Sequence, residues 1–133
     1  MQIRTPIQLL LPALALLGLV ACEQAPQPPA QVRMVSYADE VAPILQQHCA
    51  ACHGADGPGT EATGLRLDSY ASLLQGSNFG PVITAGSAKV SSLYILISSG
   101  DDLTVHMPRG MDPLPADDIE TIRLWIDQGA PDN

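Results

Sequence analysis

The chain has 133 residues, room for one domain behind a removable leader, and its 14 acidic against 6 basic side chains give a formal charge of −8. That balance argues against nucleic acid as a partner and against a basic patch for anionic lipid. With only five aromatic residues (Tyr37, Tyr70, Phe79, Tyr94 and Trp125), so small a domain buries little by itself, and a bound group would have to form much of its core.

The first 21 residues read as an export signal. Arg4 supplies the positive end, Ile7 to Val20 is an apolar run, and Leu19-Val20-Ala21-Cys22 closes it with small residues before a cysteine. The run is too short to span a bilayer comfortably and contains Pro12 and Gly18. Its last four residues resemble a bacterial lipobox, which implies lipidation of Cys22 and a tie to the membrane on the periplasmic side. The other reading is an ordinary cleavage site beside a chance cysteine, which would leave an unpaired thiol in an oxidising compartment. Loss of residues 1–21 removes Arg4 and sharpens the acidity. A redox protein partner with a basic docking face suits that surface, although charge also serves solubility. Residues 22–36, with Pro26, Pro28 and Pro29, read as a lipidated cysteine and a tether reaching about 40 Å if extended, and residues 37–131 as the folded domain.

Tyr37, Val41, Ile44 and Leu45 recur at helical spacing and lead into Cys49. Ser36 with Asp39 could form a capping box, but Pro43 would then fall beyond the first turn, so Asp39 is expected as N-cap of a short helix from Glu40. Cys49-Ala50-Ala51-Cys52-His53 follows. Two thiols three apart suit thioether bonds to the two vinyl groups of one haem, and the adjoining histidine falls under the iron as axial ligand. A zinc half-site would need a second ligand pair and a redox dithiol needs no histidine; a Cys49–Cys52 disulfide is the remaining alternative. His48, beside the motif, reads as a partly exposed residue at a helix end.

Gly54, Gly57, Pro58, Gly59 and Gly64 are expected to form a loop, lacking the lysine of a phosphate-binding loop and passing close to a haem edge. Asp68 or Ser69 caps a short helix that stops at Gly76. Gly76 to Gly86 is irregular. A helix is expected from about Ala88 to Ser98, with Ser87 as cap and Gly100 as stop. Asp101 to Leu114 is a loop holding Met107 and Met111, and a terminal helix begins with Pro115 at its first position, carries Ile119, Ile122, Trp125 and Ile126 on one apolar face, and ends at Gly129. Trp125 is expected on the haem or the first helix. No internal repeat occurs, so one haem is expected.

What fills the second axial position decides between electron transfer and ligand chemistry. Met107, in His106-Met107-Pro108, is the first choice, because a thioether favours reduced iron and the proline stiffens the loop. Met111 and His106 stay open as alternatives. Arg66, Arg109 and Tyr94 are candidate partners for haem propionates.

Several segments together resemble the planctomycete-type cytochrome c domain, a branch of the class I cytochrome c fold. They are Pro43-Ile44-Leu45, Cys49 to Gly54, Gly64-Leu65-Arg66-Leu67-Asp68-Ser69, Gly80-Pro81-Val82-Ile83, Gly86-Ser87, Ser92-Leu93-Tyr94, Met107-Pro108 and Trp125 to Ala130. The resemblance implies an all-α fold of three main helices and a short one around one covalent haem c, with Cys49 and Cys52 as thioether cysteines and His53 and Met107 as axial ligands. It differs at Leu114-Pro115-Ala116, where a Ser or Thr cap is common. The function implied is a membrane-tethered one-electron carrier, not an enzyme. The alternative is a haem-based sensor whose Met107 is displaceable; a small peroxidase would need His106 as distal base.

Overall fold

The structure, a computed structural model, describes residues 32–99 and 106–133. The expected export signal, Cys22 and most of the tether lie outside the described residues, as does Gly100. Among the described residues the fold is all-α, with no strand beyond one isolated bridge between Ser77 and Gly80.

A wide π-helical turn, Tyr37–Val41, runs into α1, Ala42–His48. The N-cap is Ser36, not Asp39: Ser36 Oγ accepts from the Asp39 N–H at 3.1 Å, and the Ser36 N–H donates to Glu40 Oε2 at 3.0 Å. Sequence reasoning set Ser36 aside because Pro43 would interrupt an ordinary ladder. The wide turn removes that conflict, since Val41 N–H reaches Ser36 O and Ala42 N–H reaches Tyr37 O, five residues back. Pro43 then sits at the start of the regular helix, where its missing N–H costs little.

After Cys49 comes α2, Ala50–His53, and then α3, Pro58–Thr63, inside the segment expected to be loop. Pro58 at the first helical position and left-handed Gly64 (φ 73°) after the last bracket this single turn and a half, so glycine content masked a start and a stop that were both present. The next helix is α4, Tyr70–Gln75, whose cap is Ser69 accepting from the Ser72 N–H, and it stops at Gly76 as expected. The helix expected from Ala88 is interrupted: a 3-10 turn, Ala88–Val90, precedes α5, Ser92–Ser98. The break is at buried Ser91, whose hydroxyl accepts from the Thr84 N–H at 2.8 Å and donates to Ser87 O at 2.9 Å. The last helix, α6, is Ala116–Asp127, with Pro115 one position before it and no side-chain cap. The expected three helices and a short one are thus six α-helical segments among the described residues.

The core lies between the first helical turn, α5 and α6, where Trp125, Ile122 and Ile126 are fully buried with Val41 and Leu45. Trp125 packs on the first helix, not on a haem site: its ring lies 5.5 Å from Tyr37 and 6.4 Å from Tyr70, and its Nε1 donates to Pro131 O. Residues 33–36, expected in the tether, join this side. Val35 is fully buried, its N–H donates to Gln128 Oε1 at 2.8 Å, and Asn133 accepts from the Tyr37 and Ala38 N–H groups. Composition hid this, because a short extended segment that bonds to residues more than ninety positions away has no local signature.

Candidate haem site

The local chain dictates how the motif is presented. At Cys49 the backbone leaves helical geometry (φ −122°, ψ −35°), breaking the helix into α1 and α2. The Cys52 and His53 N–H groups both bond to Cys49 O, at 3.1 and 2.8 Å. That single turn sets positions three and four apart on one face, so Cys49, Cys52 and His53 address the same side.

They line one cavity of about 580 Å³. Its walls are apolar, supplied by Leu65 and Leu67, by Val82, and by Leu93, Leu96 and Ile97 on α5, with Leu114. Met107 and Met111 both reach it. Met107 is half-buried and its N–H donates to Leu96 O at 3.0 Å, which ties the methionine loop to α5; Met111 is 56% exposed. His106 is half-buried and does not line the cavity. Of the three candidate propionate partners only Arg109 lines it; Arg66 is exposed and paired with Asp68. His48 lies at the rim, 3.3 Å from Asp118, joining the end of α1 to the first turn of α6.

His53 is buried, with Nδ1 3.2 Å from Leu65 O. Only a protonated Nδ1 can bond a carbonyl, so in the neutral ring this contact puts the proton on Nδ1 and leaves Nε2 with its lone pair. The Leu67 N–H returns to His53 O at 2.8 Å, fixing the segment beneath the ring. Gly59 closes the other flank: a Cβ there would stand 2.7 Å from His53 Cε1 and 2.9 Å from Cys52 O, an approach only glycine permits. Burial, then the neighbouring Cys52, pushes the Cys49 thiol up to about 11. Thr60 and the Leu65 carbonyl are site residues that sequence reasoning missed, and Gly59 was placed near the haem edge without its contact to His53. Glycine density hinted at Gly59, whereas a backbone carbonyl carries no residue-type signal.

Two thiols, an oriented imidazole and a thioether around an apolar hollow fit a porphyrin held through sulfur and ligated at its iron. Residues 49–109 match the family model described as Planctomycete cytochrome C, and the chain carries a planctomycete-type cytochrome c domain. Such a domain implies covalently bound haem c and fits an electron carrier. No curated protein and no solved structure matches this chain.

Proposed function

We propose that the chain is a single-haem, one-electron carrier, with Cys49 and Cys52 as thioether cysteines and His53 and Met107 as axial ligands. The observation that carries this reading is that all four residues line one apolar cavity in which His53 already has Nδ1 engaged by Leu65 O. Bound haem c supplies the Fe(III)/Fe(II) couple. The protein's part is to orient His53 before ligation, to hold Met107 through the Leu96 carbonyl, and to keep water from the hollow with the α5 side chains. Met107 is preferred to Met111 because its backbone is anchored and less of it is exposed. Residues 1–21 act as a lipoprotein signal, lipid on Cys22 holds the protein at the periplasmic side of a bacterial membrane, and the acidic surface selects redox partners with a basic docking face.

The test is the redox-titrated spectrum of purified protein. Met107→Ala is expected to abolish the sulfur-to-iron charge-transfer band of the oxidised form and to lower the potential; no change in either removes Met107 from the ligand set. Carbon monoxide added to reduced wild-type protein is expected to leave the spectrum unchanged, and rapid full binding would support the sensor instead.

A further inference from the structure

We propose that Thr60 tunes the donor strength of His53 by competing with its Nδ1 proton for the Leu65 carbonyl; this rests on the haem-carrier reading above. The Leu65 oxygen faces two donors, His53 Nδ1 at 3.2 Å and Thr60 Oγ1 at 2.9 Å. Thr60 Oγ1 also lies 2.6 Å from Gly54 O, so its one proton is shared between the two carbonyls. A carbonyl oxygen has two lone pairs and accepts both partners. Electron density drawn toward the hydroxyl is nevertheless lost to the imidazole N–H. The Nδ1–H bond is therefore weaker than an undivided carbonyl would make it, the ring carries less imidazolate character, and Nε2 is the poorer donor to oxidised iron. The hydroxyl thus favours Fe(II).

Thr60 does not hold the carbonyl in place. The Leu67 N–H bonds to His53 O at 2.8 Å and the Leu65 N–H to Thr63 Oγ1 at 3.2 Å, fixing the segment from both sides. Thr63, one turn on, donates to Gly59 O at 2.7 Å. Thr60 alone divides the acceptor of the axial histidine, and what it changes is polarity, not position.

The experiment uses the haem-loaded full chain with Thr60→Val, which keeps the shape and removes the proton. Mass and absorption spectra are expected to show haem still covalently attached. The potential falls, so that the Fe(III):Fe(II) ratio at fixed ambient potential rises about two- to threefold. In the proton NMR spectrum of the reduced form the His53 Nδ1 proton moves downfield and exchanges more slowly with solvent, and Thr60→Ser restores both readouts. An unchanged or raised potential, or failure of the serine to restore it, overturns the proposal. If the valine variant does not accumulate with haem, Thr60→Ala takes its place with the same readouts. Wild-type protein without covalent haem would refute the carrier reading, which the mass spectrum separates from a failure of Thr60.

Discussion

Around Trp125 three rings and the two ends of the domain close on one another, whereas around His53 the chain leaves a hollow. On the first side Tyr37 and Tyr70 meet edge to face at 5.0 Å, the Tyr70 hydroxyl donates to Ala130 O at 2.8 Å, and Gln128 and Asn133 bond to residues 33–38. Each aromatic pair adds about 0.5–1.5 kcal/mol beyond area burial. On the second side the buried surface is apolar wall, and its polar contacts serve the orientation of one imidazole. Protein–protein packing thus stabilises one side, and the other is shaped for a prosthetic group.

Trp125→Ala strikes the packed side and is expected to cost about 3–5 kcal/mol in denaturant unfolding while leaving the covalent haem attached. A loss below about 1 kcal/mol would show that the rings do not hold the domain together. The next effect belongs to the cavity side of haem-free protein. With its thiol pushed up to about 11, folded Cys49 should alkylate roughly a hundredfold more slowly at neutral pH than the same cysteine in denaturant. The sign follows from ionisation: below pH 9.0 the thiol is protonated in both states, and from there to about 11 the unfolded chain ionises first, so the haem-free fold loses stability as pH rises. Equal alkylation rates would mean that Cys49 is not buried without haem. Gly59→Ala is the smallest of the three, about 1–3 kcal/mol, because the new methyl must displace the His53 ring or the Cys52 carbonyl. Unlike Trp125→Ala it should also shift the potential; stability loss alone would count against close packing of Gly59 on His53.

How much of this was readable beforehand depended on the range of the interaction involved. Cys49, Cys52 and His53 declare themselves by spacing, and α4 and α6 by apolar period and stop signals, all within a few residues. The π-helical turn was not legible, because it trades one ladder for another to accommodate Pro43 and no single residue type encodes that trade. Nor was the docking of Val35 on Gln128, 93 positions away. Within the site, Leu65 acts through its backbone and Thr60 through a hydroxyl that any surface threonine would also display. Only the folded chain brings the two together beside His53.

Among the described residues that line the cavity none bears a carboxylate; Arg109, His48 and His53 are the basic groups there, His48 beside Asp118, while the chain as a whole is strongly acidic. On the proposed reading, a partner with a basic docking face would be drawn by a distant field and received at a mouth of little net charge. Raising ionic strength should slow arrival without hastening departure.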